Sequence, residues 1–328
     1  MNRNVSALAV VVLIGIVTAA LFFATLYVGP LSIPRVSASY GGSGFTTGDE
    51  AYPRTATDAE SYALAIARPT RRISSEYWSI DDYVYSVAPP QDVVSVSESA
   101  YDRSFSNVYE WAEMYHPAIT TDPETVLKLN PDLLLISSSG RADFTDLLRK
   151  AGTPAFRMFT DFTSLAEIDR TILLTGYLTG NDAIASRVHE KLQEAIRKAR
   201  MKKPPAAPSP RILGYTVGYG YGDQTVFNDV VRILGGINVG GENGLHGYSL
   251  INPEQVVVWD PEWIISGAAR GTTQDALKRL LDDPAVSQTT AARKGQILVF
   301  DNNVFLPLSP FTTLLIDALG DAIYATKS

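Results

Sequence analysis

From Arg72 onward, short apolar runs alternate with stretches whose apolar residues recur at helical spacing, the pattern of an α/β fold built on parallel sheets. The runs predict strands at Arg72–Ser75, Val93–Val96, Leu133–Ile136 and Ala155–Met158. Helices are expected between them near Ile80–Val87, Pro123–Leu129 and Phe144–Lys150. Two longer helical stretches follow, Leu165–Tyr177 and Asp182–Ala199, separated by Gly180-Asn181. Ser164 and Glu167 have the spacing of a capping box at the first. The second carries Ile184, Ala185, Val188, Leu192 and Ile196 on one face and ends in a basic, then proline-rich segment. Beyond it, strands are predicted at Arg211–Val217, Trp263–Ser266 and Ile297–Phe300, with helices near Thr225–Leu234 and Ala276–Leu281 and from Ser309 to about Ala325.

One phrase occurs twice at an offset of 130 residues. Asp122-Pro123-Glu124-Thr125-Val126 leads to Pro131-Asp132 and an apolar run; Asn252-Pro253-Glu254-Gln255-Val256 leads to Pro261-Glu262 and another. In each copy an Asx side chain can cap a helix that opens on proline, and a second proline ends it. Glu124 and Glu254 then fall in the first turn, where the helix dipole favours a carboxylate. The repeat predicts two similarly wired lobes, residues 58–180 and 204–328, joined by a long helix over 181–203, with a ligand cleft between them.

The start of the chain has a different character. Leu8–Val28 carries no charge, and Arg3 is the only positive side chain before it. About 20 apolar residues span a bilayer core, whereas a secretory apolar region is about 7–15. Residues 1–30 are therefore expected to be a membrane anchor, or a long signal peptide cut near Val36-Ser37-Ala38, with the rest extracytoplasmic. Residues 31–57, rich in Gly, Ser and Thr, are expected to be a flexible tether.

Composition narrows the chemistry. A formal net charge of −7 argues against a nucleic-acid surface, and the absence of cysteine excludes thiolate catalysis, zinc–thiolate sites and disulfides. Gly218-Tyr219-Gly220-Tyr221-Gly222 follows a strand but has Asp223 where a dinucleotide fingerprint needs its third glycine. There is no Walker loop, nucleophile elbow or paired-histidine zinc motif. No enzyme activity, no cofactor and no resident metal site are expected.

Binding residues are easier to nominate. Ligands of open α/β sheets sit outside the carboxyl ends of the strands, and aromatic side chains gather there: Tyr77, Trp78 and Tyr101 in the first lobe, Tyr219, Tyr221 and Tyr248 in the second. Tyrosine offers a broad face and one hydroxyl. His116 and His246 obey the same 130-residue offset and could contact a ligand or remain ordinary loop residues. His189, mid-helix, is expected at the surface. Ser138 and Arg141, after the third strand, could meet an anion.

Several local motifs occur in a particular order: Asp58-Ala59, Arg72-Ile73, Asn130-Pro131-Asp132-Leu133, Gly176 and Gly180, then Phe227-Asn228-Asp229-Val230 and Gly235-Gly236-Ile237-Asn238. In that order they resemble the metal-chelate branch of ABC-transporter solute-binding proteins, which bind ferric siderophores, haem or cobalamin. The resemblance runs from about Asp58 to Ala325. It implies two Rossmann-like lobes and a monomer that delivers its ligand to a membrane permease. Glu124 and Glu254 match the positions that dock on the permease. The aromatic ligand position six residues before each glutamate falls on Ala118 and Tyr248, so only the second lobe keeps a ring. The C-terminal contact loop falls on Asn303–Pro307, with Asn303 and Phe305 as contacts. The lipoprotein cysteine is missing, a role the apolar N-terminal helix can take. The alternatives from other classes are a ligand-sensing domain and a two-lobed enzyme such as a chelatase or glycosyltransferase.

Overall fold

The computed structural model describes residues 52–216 and 218–324. The expected anchor Leu8–Val28 and most of the expected tether lie outside the described residues. Among those described, no helix is long and apolar enough to cross a membrane.

Order begins earlier than the tether's composition suggests. Strand β1 (Arg54–Thr57) pairs antiparallel with β2 (Ala63–Ile66). Arg54 fixes this hairpin: its buried guanidinium meets Asp182 at 2.8 Å, donates to the Tyr177 carbonyl at 2.9 Å and lies over the rings of Tyr52 and Tyr177. A polar composition reads as flexible only until one charged side chain finds a buried partner.

The first lobe then runs through β3 (Ile73–Ser75), α1 (Trp78–Val87), β4 (Val93–Ser95), α2 (Tyr109–Ala112), α3 (Pro123–Leu129), β5 (Leu133–Ser137), α4 (Ala142–Lys150) and β6 (Ala155–Met158). Its sheet has the order β4-β3-β5-β6 and is wholly parallel. Every residue of β5 is buried, which is why its sequence is a continuous apolar run rather than an alternation.

Helices α5 (Leu165–Thr179) and α6 (Asp182–Lys202) follow, hinged at Gly180, whose φ of +76° is the left-handed helix end that glycine adopts freely. The capping box expected at α5 forms only by half. Ser164 accepts from the Glu167 amide at 3.3 Å, but the Glu167 carboxylate reaches one residue further back, to the Thr163 amide at 2.7 Å. His189, expected at the surface, is half-buried and ties α6 to Asp169 of α5 at 2.7 Å.

The second lobe contains β7 (Arg211–Thr216), β8 (Tyr219–Tyr221), α7 (Val226–Ile233), β9 (Ile237–Asn238), α8 (Val239–Glu242) and β10 (Tyr248–Leu250). It continues with α9 (Pro253–Trp259), β11 (Trp263–Ala268), α10 (Thr273–Asp282), α11 (Thr290–Arg293), β12 (Ile297–Asp301), α12 (Asn302–Phe305) and α13 (Thr312–Tyr324). Its sheet is mixed, which corrects the expectation of two parallel sheets. Strands β7, β9, β11 and β12 are parallel, but β8 and β10 extend the edge antiparallel. The cause is Gly218: at φ +84° it turns the chain straight back on β7, so the Gly-Tyr-Gly-Tyr-Gly run is a hairpin strand and not a phosphate loop.

The repeated phrase is matched in atomic detail. Asp122 and Asn252 cap α3 and α9, and Asn130 and Asp260 end them in the left-handed conformation. Asp132 then accepts from the amides of Arg71 and Arg72, and Glu262 from that of Arg211. Arg72 and Arg211 return the favour, donating to the last carbonyls of α3 and α9. Both helices carry their glutamate, Glu124 or Glu254, exposed in the first turn.

One apolar core crosses from lobe to lobe. Tyr83, Phe162, Ile168 and Ile172 join Leu192 and Ile196 of α6, which pack on Ile212, Phe227, Val230 and Leu319 of the second lobe. Each lobe has a further core of its own, around Ile136 in the first and Ile264 in the second.

Candidate functional site

The carboxyl ends of the parallel strands bring the candidate residues to the space between the lobes. Glu76, Tyr77 and Trp78 follow β3, the Ser137–Gly140 loop follows β5, and Thr160 and Asp161 follow β6. From the second lobe come Arg270 after β11 and Asn302 and Asn303 after β12, with Tyr219 and Tyr248 on the antiparallel edge.

The lobes touch across this space. The Arg270 amide donates to the Ser104 carbonyl at 2.9 Å, and its guanidinium reaches the Ser106 carbonyl at 3.3 Å and the face of Tyr109. Asn107 donates to the Asn303 carbonyl at 2.8 Å, and the Asn303 amide donates back to the Asn107 side chain at 3.2 Å. Deeper, Ser309 donates to Asp82 at 2.7 Å and the Tyr83 hydroxyl donates to the Leu308 carbonyl. The cavity they enclose, lined by Trp78, Asp82, Phe105, Asn107, Asn302 and Pro307 among others, holds about 10 Å³. That is room for one water at most. A larger concavity of about 460 Å³ lies among α5, α6 and α7, beside Asp169, Gln193 and Arg200. It touches no strand end and holds no aromatic side chain, so the interlobe face is the better candidate.

The nominated residues divide into wall, core and rim. Tyr77 and Trp78 stand on the first-lobe wall, their rings 5.9 Å apart, with Phe105 edge-on to Trp78 at 6.0 Å. Burial raises the Tyr77 pKa, and the nearby Asp161 and Glu76 carboxylates raise it further. Tyr248 is the corresponding second-lobe wall. It is 49% exposed, yet burial is the main reason its pKa is raised, followed by Tyr221 and then Asp161. Tyr219 lies nearby in the sheet edge, its buried hydroxyl without a hydrogen-bond partner.

Tyr221 and Phe305 are core residues and not open contacts. Tyr221 packs edge-on against Phe227, Tyr248 and Phe305, and burial pushes its hydroxyl up to about 12. Phe305 is 5% exposed. Asn303 works between the lobes, as described above, and keeps its side-chain oxygen buried and unpartnered.

At the rim, His116 stacks on Tyr101 at 5.4 Å, and the Tyr101 hydroxyl donates to the Tyr115 carbonyl. His246 lies 2.5 Å from Asp223 and is exposed. Each histidine is therefore engaged within its own lobe. Arg141 points along its own helix start to Asp143. Ser138 contributes its carbonyl to the buried guanidinium of Arg157 at 2.7 Å, and Gly140 does so at 2.5 Å. Among the described residues no group of three or more His, Asp or Glu side chains could hold a metal ion.

The residues that sequence reasoning missed are carboxylates. Asp81 is fully buried, accepting from Ser75 and from the Ser97 hydroxyl and amide; burial, against those bonds, lifts its pKa to about 7. Asp82 is raised well above its usual range by burial, with Ser309 opposing and Asp81 reinforcing. Burial also raises Glu76, against the Ser137 backbone and Arg157, and partial desolvation raises Asp161, which stays exposed at the surface. In the sequence only the adjacency of Asp81 and Asp82 at the start of an apolar helix hinted at this.

Comparison with known proteins bears on the fold. The chain is 25% identical over 258 residues to a cobalamin-binding protein of Halobacterium salinarum, covering 77% of this chain and 69% of the relative. The periplasmic haem-binding protein RhuT of Roseiflexus sp. RS-1 superposes with a TM-score of 0.65 at 23% identity, covering 78% of this chain and 98% of that one. The periplasmic haem-binding protein HutB of Vibrio cholerae gives 0.64 at 17% identity, over 78% and 99%. At such identities the two structures establish the shared fold. The periplasmic binding protein family model matches residues 74–304, from β3 into α12. With most of both lobes inside that match, the chain belongs to the periplasmic binding protein family.

Proposed function

We propose that this protein is the extracytoplasmic solute-binding component of an ABC importer, capturing a metal chelate of the ferric siderophore, haem or corrinoid class and passing it on unchanged. Residues 8–28 would anchor it to the membrane, and Tyr77, Trp78, Tyr219 and Tyr248 would form the aromatic walls on which the chelate rests. The observation that carries the delivery role is the pair Glu124 and Glu254. Each is exposed in the first turn of a helix capped and terminated in the same way, one per lobe. Neither caps its helix: Asp122 and Asn252 accept the capping hydrogen bonds from first-turn amides. Glu124 has only Lys128 nearby, at 3.9 Å, a surface pair of little energetic weight. Two carboxylates held at matching positions on a bilobed body suit a pair of basic pockets on a two-subunit permease.

The test is Glu124→Arg combined with Glu254→Arg. Uptake should fall by more than about tenfold, because like charges across a docking surface cost several kcal/mol. Chelate affinity of the purified protein should not change. Normal uptake by a well-expressed double variant would remove the docking role.

A further inference from the structure

Each lobe carries an arginine in the loop that leaves an inner strand of its sheet, and the two meet different surroundings. In the first lobe Arg141, after β5, is paired with Asp143 on the surface. In the second, Arg270 follows β11, and the position 130 residues beyond Asp143 is Thr273, which offers no charge. Arg270 therefore lacks the local acid that occupies its counterpart. It is half-buried and fixed across the cleft instead. Its amide donates to the Ser104 carbonyl at 2.9 Å and its Nη2 to the Ser106 carbonyl at 3.3 Å. Ser106 lines the interlobe cavity, so the guanidinium stands at the edge of that space.

The carboxylates around the mouth are engaged elsewhere. Glu113 pairs with Arg103 at 2.9 Å, and Glu110 accepts from the Tyr109 hydroxyl at 3.0 Å. Asp102 accepts from the Ser104 amide at 2.8 Å, and Asp301 from the Gly271 amide at 3.3 Å. Glu110 and Glu113 are also exposed, where salt and water screen them. Among the described residues Arg270 forms no ion pair, and of its five N–H donors only Nη2 has an acceptor, a neutral carbonyl at long range. The Tyr109 ring, 5.1 Å from the Arg270 guanidinium and 5.1 Å from that of Arg103, helps to fix its position. A guanidinium held at a strand end without a counter-ion is set for a carboxylate, which it grips through two parallel hydrogen bonds, each about twice as strong as one to a neutral carbonyl.

We infer that Arg270 is a specificity-determining residue that reads a carboxylate arm of the bound chelate, exchanging the Ser106 carbonyl for that arm and so selecting anionic chelates over neutral ones. The propionates of haem and the arms of a polycarboxylate siderophore share this chemistry. A corrin rimmed with carboxamides, or an uncharged ferric hydroxamate, lacks it. Arg103 does not share the role, because Glu113 already holds its guanidinium. Specificity for the arm resides in the second lobe, opposite the Trp78 and Phe105 rings that line the cavity from the first. This role rests on the chelate-binding reading given above and narrows it to anionic ligands.

The experiment compares probes on the purified full-length chain. Haemin and ferric rhizoferrin, a polycarboxylate, are the anionic probes; haemin dimethyl ester, ferrichrome and cyanocobalamin are the neutral ones. Wild type should bind haemin or ferric rhizoferrin at least about tenfold more tightly than any neutral probe, a difference of about 1.4 kcal/mol. Which of the two binds identifies the source of the carboxylate. Arg270→Gln should weaken that anionic probe by about tenfold or more, and Arg270→Lys, which keeps the charge, by less. Arg103→Gln, which removes an equal charge from beside the same ring, should change it by no more than about threefold. A wild type without the anionic preference overturns the inference while chelate binding stands. So does an undiminished affinity in Arg270→Gln, or a loss that Arg270→Lys or Arg103→Gln matches in full. Binding of none of the probes overturns the chelate-binding reading itself, and this inference with it.

Discussion

Asp58 offers the sharpest test of how the first lobe is held together. It is fully buried. One carboxylate oxygen accepts from the amides of Glu60 and Tyr62, both at 2.9 Å; the other accepts from the Arg157 amide at 3.1 Å and from the Arg149 guanidinium. Arg149 itself is 10% exposed and lies over the Tyr62 ring. In Asp58→Asn the side chain keeps its shape, but its NH2 group must face two donors on one side or the other. The Arg149 charge then loses its closest counter-ion and keeps only Glu60, at 3.4 Å. Removing one partner of a buried pair costs about 3–5 kcal/mol. For a unit of this size each kcal/mol lowers Tm by roughly 3 °C, so a fall of about 10 °C is expected in thermal unfolding followed by circular dichroism. The effect should also reach the site: Arg157, whose amide Asp58 holds, supports the loop after β5 through the Ser138 and Gly140 carbonyls. Hydrogen exchange at residues 138–141 should therefore quicken more than at α10, which Asp58 does not touch. A Tm within about 2 °C of wild type would refute the reasoning.

Three further outcomes are expected. Gly176 packs against Ala185 so closely that an added methyl would overlap the Ala185 side chain. Gly176→Ala should cost about 1–3 kcal/mol in denaturant unfolding, and adding Ala185→Gly should recover part of it; strictly additive losses would disprove the contact. Asp81 has a folded pKa of about 7 against 3.8 when free, so the folded state holds a proton that the unfolded chain has lost between those values. Its contribution to stability is thus full below about pH 4 and is lost as pH rises through 7, on the order of a few kcal/mol; Asp81→Asn should flatten the Tm profile there, and an unchanged profile counts against it. Arg270→Ala removes a charged hydrogen bond to Ser106 and the contact with Tyr109. It should shift the lobes toward separation by about tenfold, read as a larger radius of gyration in solution scattering; an unchanged radius rejects the latch.

The sequence made the parallel core legible because strands buried on both faces leave unbroken apolar runs. Ala155–Met158 and Pro123–Leu129 fall where the pattern predicts them, and Leu133–Ser137 extends its run by one residue. The doubled phrase is legible for a similar reason, since proline and Asx caps act locally. Long-range pairing was not legible. Arg72 and Arg211 perform the same capping task in the two lobes but stand 139 residues apart, off the 130-residue offset, so the repeat did not reveal them. The β1–β2 hairpin was hidden because its order depends on Asp182, far along the chain. The burial of Asp81 and Asp82 was hidden for the opposite reason. Asp81 and Asp82 near a helix start look like ordinary dipole-stabilised surface residues, and only the packing of β3, β4 and the second lobe around them shows that they are buried. Tyr221 and Phe305 err in the other direction: aromatic residues near strand ends suggest a pocket, yet each other's rings fill their surroundings.

The same packing constrains how the cleft can work. The cavity beside Trp78, Asp82 and Phe105, at about 10 Å³, cannot admit a ring the size of a porphyrin or corrin while the lobes touch. Opening must break the contacts at the mouth, chiefly those of Arg270 and the Asn107–Asn303 pair, part-buried hydrogen bonds worth about 0.5–1.5 kcal/mol each. It cannot extend to the helical side, where Leu192 and Ile196 of α6 are buried among residues of both lobes; exposing that core would cost roughly 25 cal/mol for each Å². Motion is thus confined to the strand-end side, with α6 as the fixed edge. Any separation of the lobes therefore begins at Arg270 and at the Asn107–Asn303 pair and leaves the core around α6 intact.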